Sequence, residues 1–387
     1  MQRAAVPTRF QARKVLHQQT VGTTDQCGTW RHAKLDAVFC PHMSTQAVWH
    51  GTTTAGLSRR SSVSCAAMTT HEPLPAVVTV DWLNDRLSEV KLLDTSWYLP
   101  PMGRDARQEF AAARIPGAQF WDIDGVCDAS TDLPHMLPSE AAFAAAADAL
   151  GISNEDAVVV YDGMGVFAAP RAWWAWRVFG HSRVAVLEGG LPAWKAAGKA
   201  LDESAASNDT LAAATAAARA ASSGSSTKYK ATLMKDKVLV LEEMQRLMQP
   251  AAAAVAAGQP APDLHRQVVD ARPAGRFAGV DPEPRPGLPS GHMPGAKNVP
   301  FMQVYEGGVV QGARMKPVDE LEALFRGGGV DVQAPLVCSC GSGLTACVLA
   351  LAIYQVTGQL APVYDGSWSE WAAVPGAPIA RDEAAGR

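Results

Sequence analysis

LVCSCGSGLTA, residues 336–346, changes character three times within one short stretch. Its apolar start suits a buried strand, its two glycines break the strand into a tight turn, and the residues that follow are apolar and helix-forming. Pro335–Ser339 therefore reads as a strand. The next segment reads as a helix that begins near Thr345 and ends at Gly358, a residue suited to the left-handed end of a helix. An earlier stretch has the same order, with Val158–Tyr161 as a buried strand followed by the glycine-rich DGMG.

Working outward, the likeness extends over two long segments. LLDTSWY (92–98), RIPGAQFWDID (114–124), VVVYDGMG (158–165) and VLEGGLPAW (186–194) return as VVDARPA (268–274), HMPGAKNVPF (292–301), LVCSCGSG (336–343) and VYDGSWSEW (363–371). Asp94 and Asp270 are 176 positions apart, Pro116 and Pro294 are 178, Asp162 and Cys340 are 178, and Gly189 and Gly366 are 177. Four offsets this close mean one unit used twice. Each unit alternates short β-branched runs with helix-like segments, so the expected class is α/β, each unit a parallel sheet flanked by helices. The units are expected over 75–201 and 229–376, joined by a linker over 202–228. Within it, ESAASNDTLAAATAAARAASSGSS (203–226) is poor in large apolar residues and reads as a flexible connector. Residues 250–262, after the helix-like LEEMQRLM, read as a surface loop insertion.

Composition bounds the rest. A chain of 387 residues that is 48% hydrophobic can bury two cores. Residues 1–71 carry eight basic and two acidic residues with abundant Ser and Thr, the composition of an organellar transit peptide, with a disordered basic tail as the alternative. Outside this segment stand 26 basic and 36 acidic residues, which weighs against nucleic acid as a partner. The apolar stretch Ala346–Tyr354 falls short of the ~20 residues that span a bilayer, so no membrane association is expected. Beyond Cys27, Cys40 and Cys65, the chain has Cys127, Cys338, Cys340 and Cys347, too few for a disulfide scaffold of this size. A reducing compartment fits better.

Cys340 stands where strand, turn and helix meet. Backbone N–H groups and a helix N-terminus converge there and favour an anion, which lowers a thiol pKa and makes a nucleophile. Gly341, Ser342, Gly343, Leu344 and Thr345 form the loop that would curl around the sulfur. Cys338, inside the strand, and Cys347, inside the helix, read as buried thiols. The C-x-C spacing suits zinc poorly, so no metal is expected.

The repeat, the CGSGLTA loop, the two I/M-P-G-A segments and YDGSWSEW resemble the tandem-domain rhodanese sulfurtransferases over residues 75–376, specifically the branch that uses 3-mercaptopyruvate. The resemblance implies two rhodanese-like domains, the first with Asp162 in place of the nucleophile and the second catalytic. It implies a Cys340 persulfide formed from 3-mercaptopyruvate with release of pyruvate, discharged to a thiol acceptor such as thioredoxin, or to cyanide, without a cofactor. Asp124 in WDID, His135 in PHMLP and Ser342 would then form an acid–histidine–serine set across the domains. Arg276 and Arg285 would bind the donor carboxylate and ketone, together with the loop residues Gly341, Gly343, Leu344 and Thr345.

Taken alone, His135 reads equally as a loop histidine, Asp124 as a turn cap, and the arginines as solvated surface. Phe167 departs from relatives that carry a tyrosine beside the pocket. Gly341 and Ser342 lack the basic residues that thiosulfate-using relatives place after the cysteine. Thiosulfate:cyanide sulfur transfer and a non-catalytic sulfur-carrier or interaction module stay open as alternatives. A monomer is expected, in the mitochondrion, with a chloroplast or a cytosolic form starting at Met68 as alternatives.

Overall fold

In the computed structural model, residues 74–382 are described apart from 223 and 309–311; the basic segment 1–71 and Met68 lie outside the described residues. The first domain contains strands β1 (Val77–Val78), β2 (Val90–Asp94), β3 (Ala118–Phe120), β4 (Ala157–Tyr161) and β5 (Val184–Leu187). The second contains β6 (Val238–Leu239), β7 (Gln267–Asp270), β8 (Lys297–Asn298), β9 (Leu336–Ser339) and β10 (Val363–Tyr364). The sheet orders are β1-β5-β4-β2-β3 and β6-β10-β9-β7-β8, the same path taken twice. Every pairing is parallel. The central strands β4 and β9 are buried along their whole length, as expected when helices cover both faces of a sheet.

Register explains why two aspartates recur. Asp94 pairs with Tyr161, and Asp270 pairs with Ser339, so each stands beside the last residue of a central strand. One step further come Asp162 and Cys340. Ligands of open parallel sheets gather at these carboxyl ends, where the strand order reverses.

The helices that follow the two central loops, Ala169–Val178 and Ala346–Thr357, pack on each other and join the domains. Trp173 meets Tyr354 edge-on at 5.3 Å, and Trp174 Nε1 donates to Ala361 O at 3.2 Å. The Tyr305 hydroxyl reaches back to donate to Val166 O. One apolar cluster runs through Val160 and Trp174 of the first domain and Cys338 and Leu349 of the second. Gly358, at φ +70°, ends the second helix as its position in the sequence suggests.

Two expectations are corrected. The segment taken as a flexible connector holds a helix, Asn208–Ala220, capped by the Ser207 side chain and packed on the helix Glu140–Ala149. Ala214 and Ala218 lie in the same apolar cluster as Phe143 and Ala147, and Leu211 in the cluster of Phe110 and Phe120. Alanine is the best helix former, and its small side chain allows close packing where large apolar residues are lacking. The supposed loop insertion at 250–262 begins inside the helix Leu241–Ala256, which carries Pro250 internally and buries Ala251.

Candidate active site

Cys340 is the first residue after β9 and is almost wholly buried. Its backbone is fixed from the YDGSW turn: Ser367 Oγ accepts the Cys340 N–H at 3.1 Å, and Trp368 N donates to Cys340 O at 2.9 Å. Ser369 holds the next peptide, donating from N and Oγ to Gly341 O at 2.9 and 2.6 Å. Gly343 sits at φ +77°, and a Cβ there would lie 2.6 Å from Asp365 O. Leu344 is buried; Ser342 and Thr345 are half-buried. Burial pushes the Cys338 thiol far up and the Cys347 thiol up to about 12, so both stay protonated near neutrality.

The first domain displays what such a loop holds. Asp162 Oδ1 accepts the N–H groups of Met164 and Gly165, and Oδ2 those of Phe167, Ala168 and Ala169, each at 2.8 Å. Five backbone donors thus converge on one buried carboxylate. No hydrogen bond reaches Cys340 Sγ among the described residues, so the expected convergence of N–H groups on the sulfur is absent. A carboxylate oxygen lies one bond further from Cβ than a thiol sulfur does.

His135 and Asp124 are brought together. His135 Nδ1 lies 2.5 Å from Asp124 Oδ1, and Trp97 Nε1 donates to Asp124 Oδ2 at 2.7 Å. Burial acts to raise the Asp124 pKa, but the His135 contact, the Trp97 N–H and the Arg285 charge together hold it below the usual carboxylate range. His135 is buried, has φ +61°, and its Nε2 has no hydrogen-bond partner among the described residues. Such a strained, half-satisfied residue commonly marks a functional position. Ser342 makes no hydrogen bond to it among the described residues, so two of the three expected partners are joined and the third is not.

Arg171, on the helix Ala169–Val178, ties this histidine to the cysteine loop. Its Nη2 donates to His135 O and to Asp365 Oδ1, the latter at 2.6 Å, and its Nη1 lies 3.4 Å from Gly343 O. Asp365 Oδ2 in turn accepts the Leu137 N–H at 2.8 Å.

The expected donor-binding arginines flank the loop. Arg276 Nη2 would lie 3.1 Å from a Cβ added to Gly341. Arg285 Nη1 donates to Ser369 Oγ at 3.2 Å. Arg276 is braced by Glu283, whose carboxylate accepts from Arg276 Nε and Nη2 and from Arg272 Nη1. Glu283 is buried between them, a carboxylate with a guanidinium on each side.

The rhodanese-like domain model matches residues 79–197 and 251–374. The chain is 40% identical over 359 residues to thiosulfate/3-mercaptopyruvate sulfurtransferase 1, mitochondrial, of Arabidopsis thaliana, covering 90% of this chain and 88% of that one. The chain belongs to the rhodanese-like family. It is also 38% identical to rat 3-mercaptopyruvate sulfurtransferase over 305 residues, 76% of this chain and 91% of the relative. The crystal structure of SseA from Escherichia coli, described as a 3-mercaptopyruvate sulfotransferase with the rhodanese fold, superposes with a TM-score of 0.60. At 32% identity it covers 76% of this chain and 99% of that one.

Several residues of this rhodanese-like site escaped sequence reading. Arg171 lies in an aromatic-rich helix that reads as core, and nothing in APRAWWAW signals a polar clasp. Asp365 and Ser369 lie inside VYDGSWSEW, which marks the repeat and the family resemblance without assigning either residue a role. Glu283 stands seven residues after Arg276, one of the two arginines it braces, and no motif in the sequence marks that pairing.

Proposed function

We propose that this sulfurtransferase takes its sulfur from 3-mercaptopyruvate and carries it as a persulfide on Cys340. The Cys340 thiolate attacks the donor sulfur, the carbon–sulfur bond breaks, and its electron pair leaves as the enolate of pyruvate. A proton supplied from His135 Nε2 through the Ser342 hydroxyl quenches the enolate oxygen, and the enol relaxes to pyruvate. An acceptor thiolate then attacks the outer sulfur and regenerates Cys340. Relatives named as 3-mercaptopyruvate sulfurtransferases support this donor.

The observation that carries the reading is the buried His135, fixed by Asp124 and clasped through Arg171 to the Cys340 loop. The missing His135–Ser342 bond is consistent with it, because catalytic hydrogen bonds often tighten only once substrate is bound. Asp162 supports the second half: its oxygens lie two bonds from Cβ, as the outer sulfur of a cysteine persulfide would, and five N–H groups reach them. Arg276 and Arg285 would hold the donor carboxylate and ketone, with Gly341, Gly343, Leu344 and Thr345 shaping the cradle. No cation follows Cys340 in its loop, which disfavours the doubly charged thiosulfate. Side-by-side steady-state assays with the two donors test the choice, and equal or better kcat/KM with thiosulfate would reverse it.

The acceptor in this proposal is a small or protein thiol such as thioredoxin. Residues 1–71 are proposed to direct mitochondrial import, which a fluorescent fusion of that segment tests; a purely cytosolic signal would contradict it.

A further inference from the structure

We infer that Trp97 is a positioning residue for the Asp124–His135 pair, holding both members through two different parts of one side chain. The indole Nε1 donates to Asp124 Oδ2 at 2.7 Å, while Asp124 Oδ1 faces His135 Nδ1. The same indole meets the imidazole edge-on with centroids 4.7 Å apart. Its own orientation is set from behind: Trp97 stacks on Phe167 at 6.4 Å, and Phe167 packs on Phe301 of the second domain at 5.8 Å. The row Phe301–Phe167–Trp97–His135 therefore crosses from one domain to the other.

The chemistry requires such a brace. Asp124 is half-exposed and stands on a turn, so a single contact to His135 would leave its carboxylate free to rotate. An indole N–H is a donor only, so it locks the second oxygen without competing for the imidazole proton. The charged and titratable groups around Asp124 are His135, Arg285, which stabilises its negative charge, Asp122, whose Oδ1 accepts the Asp124 N–H, and Cys127, whose thiol donates to Asp124 O. Phe167 gains a role here: a flat hydrocarbon ring behind the indole suffices for stacking, and no hydroxyl is called for.

This inference rests on the proposed role of His135, and the test separates the two. Persulfide formation from 3-mercaptopyruvate is measured in single turnovers for the parent, Trp97→Phe, Asp124→Asn, the double variant and His135→Ala. Trp97→Phe keeps a ring but removes the donor, and a hydrogen bond to a charged group predicts a loss of roughly 10-fold or more. The double variant should be no slower than Asp124→Asn alone. The acid limb of the Trp97→Phe rate profile should move to higher pH, because Asp124 loses one of the donors that depress it. Discharge of a preformed persulfide to thiol should be unchanged. With Trp97 kept, its indole proton resonance should shift between the parent and Asp124→Asn.

Additive losses, an unmoved acid limb, or a Trp97→Phe enzyme at the parental rate while His135→Ala is slow would overturn the role of Trp97 alone. Parental persulfide formation in His135→Ala would instead remove the reading on which it rests.

Discussion

Arg171 of the first domain and Asp365 of the second form a buried ion pair at 2.6 Å, and both are also bonded to the His135–Leu137 segment. Removing one partner strands the other charge in an apolar interface, which typically costs about 3–5 kcal/mol. Arg171→Met should therefore lower the urea midpoint of unfolding substantially. Arg171→Lys should keep part of the stability yet slow persulfide formation, since a point charge cannot serve three carbonyl and carboxylate acceptors arranged for a guanidinium fork. A lysine variant of parental rate would show that the clasp is needed for folding only.

Gly343 is the loop position where a side chain is least tolerated. Its φ of +77° costs a non-glycine residue about 1–3 kcal/mol, and a Cβ would meet Asp365 O at 2.6 Å. Gly343→Ala is expected to depress kcat strongly while the circular dichroism spectrum stays native. Gly341 has no positive φ and meets only the movable end of Arg276, so Gly341→Ala should be milder.

Glu283 and Arg276 give a prediction about binding. With Glu283→Gln, Arg276 loses its charged partner and its fixed direction, and the apparent KM for 3-mercaptopyruvate should rise by about 10-fold, in line with the loss of a charge-assisted bond. Arg285→Ala should likewise act mainly on KM, because a carboxylate clamp serves ground state and transition state alike. Steady-state kinetics separates this from a fall in kcat.

Asp94 predicts a pH dependence of stability. Burial raises its pKa from 3.8 to about 6, Asp162 adds to the rise, and the Ser96 hydrogen bonds oppose it. The folded state thus binds this proton more tightly than the unfolded state. Its contribution is complete below about pH 4 and is lost as pH climbs through about 6, a change on the order of 3 kcal/mol. Urea midpoints at acid and neutral pH should show this slope in the parent and a flatter one in Asp94→Asn.

Much of this was legible beforehand because glycines, cysteine and repeat spacing are local signals. The nearly equal offsets of four residue pairs, Asp162 and Cys340 among them, mark a duplicated α/β unit, and the two sheets run in the same order. The alanine-rich helix Asn208–Ala220 was lost because helix propensity without large apolar residues resembles a linker. Within the site, Asp124 and His135 are legible through a family resemblance, and the fold pairs them. Arg171 is not legible because its partner is distant, the Arg171–Asp365 contact spanning 194 positions, and Trp97 because its partner Asp124 lies 27 positions away. Glu283, by contrast, meets Arg276 and Arg272 only 7 and 11 positions away, yet no motif marks the pairing.

The central claim is that one cysteine receives sulfur from 3-mercaptopyruvate. Mixing enzyme with that donor in the absence of acceptor, then measuring released pyruvate and mapping peptides by mass spectrometry, tests it directly. The account predicts a burst of one pyruvate per chain and one added sulfur on the Cys340 peptide, both abolished by Cys340→Ser and retained in Cys338→Ala and Cys347→Ala. Added sulfur on Cys338, Cys347 or Cys127, or pyruvate released with no sulfur left on Cys340, would contradict it.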